Sequence, residues 1–399
     1  MRECQRDPPA TGRGVSPAQA DRRAAAKPGP VAADALGVER RANAAYAPCM
    51  VFYTRAGFER ACAEEVRVRA HPVSGEIQAD PVSGFVVFSP HRAEAAKGLA
   101  SSLQFSDLVF ARQMFFSSGW MGNLPPTDRV ARLVDEAAML HEAFSDVFVE
   151  TADTNEARAR LGLCRRLEVP LRDRLKDSGR LREGMRGPRL HVFFVSQDAA
   201  YMGLSWPSNA SPWFMGIPRL RFPKGAPSRS SLKLVEAFAA FLSPDEQARR
   251  LRPGATAVDL GAAPGGWSFE LARRGLAVIA VDNGRLDPKV LASGCVTHMR
   301  ADGFRFRPRK PVDWMVCDMV DKPSRVALLV AEWMASGMCR ACIFNLKLPM
   351  KKRFEAVDLC RELIAERLAL AGTAFELTLK HLYHDREEVT GYLRPRSRR

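Results

Sequence analysis

The second half of the chain alternates short apolar runs with segments of helical periodicity. Residues 256–260 and 277–281 are apolar runs of strand length, and residues 267–274 between them have helical spacing. Such strands are expected to be parallel, because the connection between them is a helical crossover. Further strands are predicted over 296–301, 314–317, 341–346, 374–379 and 389–393, with helices over 228–242, 324–336 and 354–371. This order predicts an α/β fold, a doubly wound and mostly parallel Rossmann-like sheet over residues 206–399 that ends in a hairpin-like pair.

The first half of the chain mixes strands and helices in a different order. One α+β unit of ferredoxin-like type is predicted over 45–118 and a second unit over 119–205. The proline-rich stretch 206–227 is expected to be an irregular linker lying over the domain that follows. The elements predicted for the first unit are strands at 51–54, 85–89 and 108–113 and helices at 58–69 and 95–103; those for the second are helices at 129–144 and 157–176 and strands at 147–151, 190–196 and 200–205.

Residues 1–44 are rich in Ala, Arg, Pro and Gly and show no apolar periodicity. We predict that they form a disordered extension, because such a segment cannot bury enough apolar surface to fold. The first strand signal begins at residue 51, which makes Met50 a candidate for the native start.

A glycine-rich loop follows the run at 256–260. Pro264 disfavours helical geometry at the preceding residue, and glycines let the backbone approach a ligand closely. Ligands lie outside the carboxyl ends of parallel strands, so Gly261, Gly265 and Gly266 are expected at the ligand end. Their Gly-x-x-x-Gly-Gly spacing differs from the Gly-x-Gly-x-x-Gly of dinucleotide-binding enzymes.

Four aspartates, Asp259, Asp282, Asp302 and Asp318, fall at predicted strand ends. A pyrophosphate group favours backbone N–H groups and positive charge, whereas four carboxylates suit a cationic ligand. S-adenosylmethionine carries a sulfonium and an ammonium, and its ribose suits a carboxylate at the end of the second strand. The alternative is that each aspartate merely caps a helix or forms a turn.

The balance of charge favours a polyanionic partner. There are 60 Lys and Arg against 45 Asp and Glu, a formal net charge of +15, and nucleic acid is the simplest partner for such a chain. A basic run in the second unit is the candidate RNA surface, although a solvated helix face would have the same composition. The run comprises Arg165, Arg166, Arg172, Arg174, Lys176, Arg180, Arg182, Arg186 and Arg189.

The nine cysteines are odd in number and lack the spacing of a disulfide framework, which is typical of reduced intracellular thiols. Cys339 and Cys342 form a Cys-x-x-Cys pair, but no second pair or flanking histidine completes a zinc site, so no metal is predicted. No apolar run approaches the length of a membrane span or forms a signal-peptide core. We therefore expect a cytoplasmic protein.

The motif Asp-Leu-Gly-Ala-Ala-Pro-Gly-Gly-Trp at 259–267 resembles the cofactor loop of the FtsJ-type ribose 2′-O-methyltransferases. Segments at 215–220, 345–353 and 384–390 are similar to one branch, the bacterial 23S rRNA cytidine 2′-O-ribose methyltransferases of RlmM type. This resemblance covers about 50–393. It implies methylation of a cytidine in the peptidyl-transferase region of 23S rRNA before the ribosome is assembled, with S-adenosylmethionine as cofactor. The unit at 119–205 resembles a THUMP domain, an RNA-binding module, and we expect a monomer.

The same resemblance implies the site residues. Lys347 matches the general base of a Lys-Asp-Lys-Glu tetrad, and the other three members orient it and the hydroxyl. Asp282 would contact the cofactor ribose, Asp302 its adenine and Asp318 its methionine end, while Trp267 is expected to pack the helix onto the sheet. The tetrad is Lys233, Asp318, Lys347 and Glu388, and the cofactor residues are Ser230, Ala263, Pro264, Gly265, Gly266, Asp282, Asp302 and Asp318.

Methyl transfer to a ribose needs a base that removes the hydroxyl proton. Burial and the nearby Lys233 would favour a neutral amine at Lys347, whereas two carboxylates would favour the ammonium, and the sequence leaves this balance open. Glu387 is the adjacent alternative to Glu388, because strand alternation lets only one of them face the site. Glu388 is preferred since it directly precedes Val389, as in the family pattern.

Other chemistries are less consistent with the sequence. A base N-methyltransferase would be expected to have Asn/Asp-Pro-Pro-Tyr/Phe after the fourth strand, where this chain has Asp-Met-Val-Asp at 318–321. A cytosine C5 enzyme needs a cysteine nucleophile, but alternation should turn the thiol of Cys317 away from the site. A non-catalytic RNA-binding assembly factor and a methyltransferase for another RNA remain as alternatives. Lys351, Lys352 and Arg353 are further candidates for phosphate contacts, or else a solvated helix end.

Overall fold

A computed structural model describes residues 47–396 of the chain. The predicted disordered extension at 1–44 lies outside the described residues. Met50 lies inside them, as the second residue of the first strand.

The N-terminal half contains β1 (Cys49–Tyr53), α1 (Glu59–Arg69), β2 (Gly75–Gln78), β3 (Phe85–Pro90), α2 (Glu94–Ser102), β4 (Gln113–Met121), α3 (Arg129–Leu140), β5 (Asp146–Thr151), α4 (Leu161–Asp177), β6 (Arg189–Phe194) and β7 (Ala200–Ser205). The C-terminal half contains α5 (Ser231–Phe241), α6 (Pro244–Arg250), β8 (Thr256–Leu260), α7 (Gly266–Ala272), β9 (Ala277–Val281), α8 (Pro288–Leu291), β10 (Val296–Met299), β11 (Trp314–Cys317), α9 (Pro323–Ala335), β12 (Cys342–Lys347), α10 (Arg353–Leu370), β13 (Phe375–Lys380) and β14 (Glu388–Pro395).

The strands of the N-terminal half form one seven-stranded sheet in the order β2-β3-β1-β4-β7-β6-β5. Residues 113–117 of β4 pair with β1, and residues 116–121 pair with β7 with a register shift between Ser117 and Gly119. The sequence predicts a boundary between two units at residues 118 and 119, and strand β4 runs across this position. The two predicted units share a continuous sheet.

The strand predicted over 108–113 is wrong, because β4 begins only at Gln113. Leu108, Val109 and Phe110 are at most 1% exposed, so their apolar character reflects burial in a loop. The buried carboxylate of Glu65 accepts hydrogen bonds from the N–H groups of Val109 (2.7 Å) and Phe110 (2.9 Å). A side chain thus satisfies backbone groups that a sheet would otherwise pair.

The C-terminal half forms a second seven-stranded sheet in the order β10-β9-β8-β11-β12-β14-β13. Strands β8 to β12 pair in parallel, and β14 is antiparallel to both β12 and β13. This confirms the doubly wound, mostly parallel sheet with a hairpin at its end. The carboxyl ends of β8, β9, β10 and β11 meet at one edge, where the glycine-rich loop also begins.

The two halves bury a common core. One hydrophobic cluster contains Met50 and Phe52 from β1 together with Leu260, Phe344 and Ile364 from the second half. The stretch 206–227 is irregular apart from short 3-10 turns, as predicted. However, its hydrogen bonds tie it to the N-terminal half: the side chain of Asn209 contacts Phe105 and Leu103, and the backbone of Ser211 contacts Gln113 and Arg189. Within residues 47–396, no helix is both long and apolar enough to cross a membrane.

Candidate active site

The glycine-rich loop between β8 and α7 is shaped by close contacts. Gly261 has φ +76° and packs against Met319, and Gly265 has φ +113° at the start of α7. A Cβ at Gly266 would lie 2.5 Å from the Ser228 hydroxyl and 2.6 Å from that of Ser230. The loop therefore needs glycine at these positions and places Ser230 beside the helix start.

The carboxylate of Asp282, just after β9, fixes the shape of this loop. It accepts hydrogen bonds from the N–H of Ala263 (3.0 Å) and from the N–H of Gly284 (2.7 Å). The carbonyl of Pro264 accepts from the N–H of Asp287 (2.9 Å). Residues predicted to bind the cofactor are thus joined to one another across two strand ends.

Asp302 lies farther along the same edge, after β10. One of its oxygens accepts from the N–H of Phe304 at 2.9 Å, and its side chain is half exposed. The tip of Asp302 remains accessible to a ligand. Trp267 was expected to pack the helix onto the sheet; it is buried, and its indole N–H donates to the carbonyl of Ser230 (3.0 Å), which joins α7 to the start of α5.

Asp259, in β8, lies inside the protein. It is 1% exposed; one oxygen accepts from the Ser268 hydroxyl at 2.7 Å, and among the described residues the other has no partner. Burial raises the pKa of Asp259 to about 7, against the effect of the Ser268 hydrogen bond. Asp259 is therefore not available to a ligand, whereas the glycine-rich loop beside the carboxylates of Asp282, Asp302 and Asp318 fits a cofactor that carries positive charge.

A cluster of two lysines and two carboxylates lies at the ends of β11, β12 and β14 and on α5. The ammonium of Lys347 lies 3.0 Å from Asp318 Oδ1 and 3.7 Å from Glu388 Oε1. The ammonium of Lys233 lies 3.5 Å from Asp318 and contacts Glu388 directly. The structure thus brings all four residues of the predicted tetrad together.

The electrostatics of the cluster distinguish its two lysines. Burial opposes the charge on Lys233, but Asp318 and the hydrogen-bonded Glu388 outweigh it and raise the pKa of Lys233 above its ordinary value. Lys233 is therefore a permanent cation at neutral pH. The side chain of Lys347 is the most exposed of the four at 22%, against 13% for Lys233. Of the two amines, Lys347 is the one more open to a substrate.

A second set of polar groups supports the cluster. The side-chain amide of Asn345 donates to Asp318 Oδ1 at 2.8 Å, and the Thr390 hydroxyl lies 2.8 Å from the Asn345 amide oxygen. Thr390 also lies within 3.0 Å of the buried carboxylate of Asp385, whose pKa is raised well above its usual range by burial and by Glu236 and Glu388. None of these supporting residues was predicted from the sequence, although strand alternation puts Asn345 on the same face as Lys347.

The structure distinguishes Glu387 from Glu388. Glu388 pairs across the sheet with Lys347 and turns into the cluster, whereas Glu387 forms an ion pair with Arg353. Cys317 is fully buried in the hydrophobic core, and burial raises the pKa of its thiol to about 12. That thiol points away from the cluster and cannot act as a nucleophile there.

Some predicted RNA contacts have structural roles instead. Arg189 is buried, stacks over Phe148 and donates to the carbonyl of Ser211 (2.8 Å). Arg172 forms ion pairs with acidic groups of its own unit, among them Asp146. Arg353 stacks over Phe58 and donates to the carbonyl of Gly57 (2.7 Å). These three guanidinium groups are already occupied by the protein, while Arg165, Arg166, Arg174, Lys351 and Lys352 are exposed.

Within residues 47–396, no group of three or more His, Cys, Asp or Glu side chains is arranged to hold a metal ion. Cys339 and Cys342 are buried thiols whose sulfur atoms lie 3.2 Å apart.

Comparison with known proteins agrees with this arrangement. Residues 47–115 match the family model described as the RlmM ferredoxin-like domain, residues 128–206 match the N-terminal model of ribosomal RNA large subunit methyltransferase M, and residues 226–385 match an FtsJ-like methyltransferase. Similar proteins named ribosomal RNA large subunit methyltransferase M occur in Methylococcus capsulatus and Aromatoleum aromaticum. The first is 51% identical over 346 residues, 86% of this chain and 97% of the relative. The second is 50% identical over 342 residues, 85% of this chain and 93% of the relative. The chain belongs to the ribosomal RNA large subunit methyltransferase M family.

Proposed function

We propose that the protein methylates the ribose 2′-hydroxyl of a cytidine in the peptidyl-transferase region of 23S rRNA, with Lys347 as the general base. The main support for this proposal is the cluster of Lys233, Asp318, Lys347 and Glu388, which lies at the same edge of the sheet as the glycine-rich loop. Methyl transfer in this family uses S-adenosylmethionine, which when bound supplies a methyl group on a positively charged sulfur.

Each member of the cluster has a distinct part in this proposal. Lys347 would act as the base that removes the proton of the 2′-hydroxyl, which makes the oxygen a nucleophile for the methyl group that the cofactor would supply. Asp318 holds the Lys347 amine through the 3.0 Å contact. Lys233, as a fixed cation, holds Asp318 and Glu388 in place, and Glu388 orients the amine from the opposite strand.

We assign cofactor binding to Ser230, to the loop at 263–266 and to the carboxylates of Asp282, Asp302 and Asp318. This assignment is supported by the required glycines and by the hydrogen bonds that join Asp282 to the loop. We assign RNA binding to the N-terminal half, with a ferredoxin-like part at 45–118 and a THUMP-like part at 119–205. A ribosomal RNA substrate implies that the protein acts in the cytoplasm, where ribosomes are assembled, and we propose that it acts there as a monomer on RNA not yet assembled.

Methyl-transfer assays on protein-free 23S rRNA and on assembled large subunits test this proposal. We expect one methyl group per RNA, at a cytidine ribose, with protein-free RNA as the better substrate. Loss of the same mark in cells that lack the gene would identify the nucleotide. RNA binding without methyl transfer would instead support a non-catalytic assembly factor, and a product on another RNA would contradict the assignment to 23S rRNA.

A further inference from the structure

A cavity of about 800 Å³ lies between the N-terminal half and the catalytic sheet. Ser230, Lys233 and Glu388 line it from the catalytic side. Arg55 and the loop at 153–158, which follows β5, line it from the N-terminal side. Both halves of the chain therefore form the walls of the space next to the catalytic cluster.

Three exposed arginines line this cavity: Arg158 from the N-terminal half, and Arg229 and Arg386 from the catalytic half. Throughout the described part of the chain, none of their guanidinium groups has a hydrogen-bond or ion-pair partner. They differ in this from Arg55, whose guanidinium donates to the carbonyls of Tyr383 and Asp385. Three guanidinium groups are thus available to a ligand in the cavity.

The acidic side chains of the cavity are mostly occupied. Asp153 pairs with the buried Arg112 (3.4 Å), Glu388 pairs with Lys233, and Asp385 is buried against Thr390. Glu156 is the exception, because it is exposed and has no side-chain partner among the described residues. The free charge in the cavity is therefore mainly cationic, which favours an anionic ligand.

We infer that Arg158, Arg229 and Arg386 bind the backbone phosphates on either side of the target ribose, in an RNA segment that is unpaired where it enters the cavity. This inference rests on the proposed function. The guanidinium fork matches a phosphate through two parallel hydrogen bonds. The cavity has the size of sites that enclose small molecules, about 300–1,000 Å³, so it accommodates a nucleotide or two but not a duplex.

The position of Arg158 predicts how the N-terminal half contributes to placing the substrate. Phosphate contacts fix the register of a nucleic acid on a protein without reading its sequence. Because Arg158 belongs to the N-terminal half and lies opposite Lys233 and Glu388, the N-terminal half takes part in placing the ribose as well as in adding affinity. A single substitution of Arg158 should therefore weaken RNA binding at the catalytic cleft.

The test is RNA binding by the full chain with Arg158→Gln, Arg229→Gln and Arg386→Gln, using an unmodified 23S rRNA transcript at several salt concentrations. Each substitution should weaken binding about tenfold, the loss of one charged hydrogen-bonded contact. Each should also lower the slope of log affinity against log salt by roughly 0.7, as for one phosphate of a single strand. The cofactor affinity of all three variants should equal that of the wild type.

Arg249→Gln is the matched control, because Arg249 is an exposed arginine of α6 without a side-chain partner in the described structure, and it lies outside both the cavity lining and the candidate RNA surface. It should change binding less than Arg158→Gln does. Glu156→Gln removes the exposed acid of the cavity and should tighten binding. A short unpaired oligoribonucleotide should show the loss in Arg158→Gln, while a duplex of the same sequence should show none.

The inference is overturned if Arg158→Gln binds the transcript no more weakly than Arg249→Gln, or if the duplex shows the same loss as the unpaired strand. Binding is measured independently of turnover. A wild-type protein that binds RNA through these arginines but transfers no methyl group would therefore overturn the proposed function and leave the binding site intact.

Discussion

The guanidinium of Arg55 lies 2.7 Å from the backbone oxygen of Asp385, and this hydrogen bond ties the N-terminal half to the loop that leads into Glu388. The carboxylate of Asp385 contacts Thr390, which in turn contacts Asn345. The amide of Asn345 donates to Asp318. A continuous set of polar contacts therefore runs from the loop after β1 to the catalytic cluster.

Arg55 acts as a positioning residue through these contacts, and Arg55→Ala should lower the methyl-transfer rate constant. Small displacements of reacting groups can cost up to about 100-fold in rate. We expect a fall of about 10- to 100-fold in kcat, with the affinities for RNA and cofactor changed much less. Arg55→Lys should restore most of the rate, because an ammonium can also donate to both carbonyls.

Arg60→Ala serves as the control for Arg55, since Arg60 is exposed and pairs only with Glu64 on α1 in the described residues. It should leave kcat unchanged. If Arg55→Ala weakens RNA binding but keeps a normal kcat at saturating RNA, Arg55 contacts RNA directly and does not position the loop.

Lys347→Met should reduce methyl transfer by about 10²- to 10⁴-fold, the usual contribution of a positioned general base. Cofactor affinity should change little, because Asp282 and the glycine-rich loop keep their hydrogen bonds. Single-turnover kinetics and calorimetric titration measure the two quantities separately. Lys97→Met, at an exposed lysine of α2 outside the proposed sites, is the control, and near-normal turnover in Lys347→Met would remove Lys347 from its proposed role.

Gly266→Ala should weaken cofactor binding severely. The added methyl group would lie 2.5 Å from Ser228 Oγ, 2.6 Å from Ser230 Oγ and 3.2 Å from the backbone nitrogen of Ser231, so both hydroxyls, including that of the proposed cofactor residue Ser230, must move. Gly98→Ala is the matched control, because Gly98 lies in helix α2, where a methyl group added to it would meet no other residue within 4 Å. That change should slightly raise stability, by about 0.4–1 kcal/mol. Equal cofactor affinity in the two variants would contradict the proposed cradle.

The buried Asp259 predicts a pH dependence of stability. Its pKa is about 7 in the folded protein, raised mainly by burial, and about 3.9 in an unfolded chain. Between these values the folded state holds a proton that the unfolded state has released, so stability falls as the pH rises from about 4 to about 7. The contribution is on the order of a few kcal/mol.

Denaturant unfolding of wild type and Asp259→Asn across this pH range measures the effect. The asparagine variant, which cannot ionise, should show a flatter profile in the ligand-free protein. Asp177→Asn, at the exposed end of α4, should keep the wild-type profile. Parallel profiles for wild type and Asp259→Asn would show that Asp259 ionises as readily in the folded protein as in the unfolded chain, so that its pKa is not raised.

The local pattern of apolar residues predicted many of the strands in the catalytic half. The runs at 256–260, 277–281 and 314–317 are the strands observed, because a buried parallel strand needs apolar residues on both faces. The pattern failed at 108–112, where the same composition belongs to a buried loop whose backbone is satisfied by Glu65. Short elements with few apolar residues, such as β2, gave no usable signal.

The positions of basic residues in the sequence were a poorer guide to which side chains are free at the protein surface. Arg189 and Arg353 are candidates either for RNA contacts or for a solvated helix surface, yet each stacks on an aromatic ring and donates to a backbone carbonyl. A long guanidinium side chain can serve either purpose, and its choice depends on neighbours that are distant in sequence.

By itself, the sequence determined the order of strands and helices, the glycine-rich loop and the four aspartates at strand ends, because these depend on residues close together in the chain. The family motifs added the identity of the tetrad. Only the tertiary structure decided that one core joins both halves, that Arg55 holds a loop 330 residues away, and that free arginines from both halves share a cavity with Lys233 and Glu388 of the tetrad. Those contacts arise only when the two sheets pack together, and no local pattern encodes which distant groups that packing brings within hydrogen-bond distance.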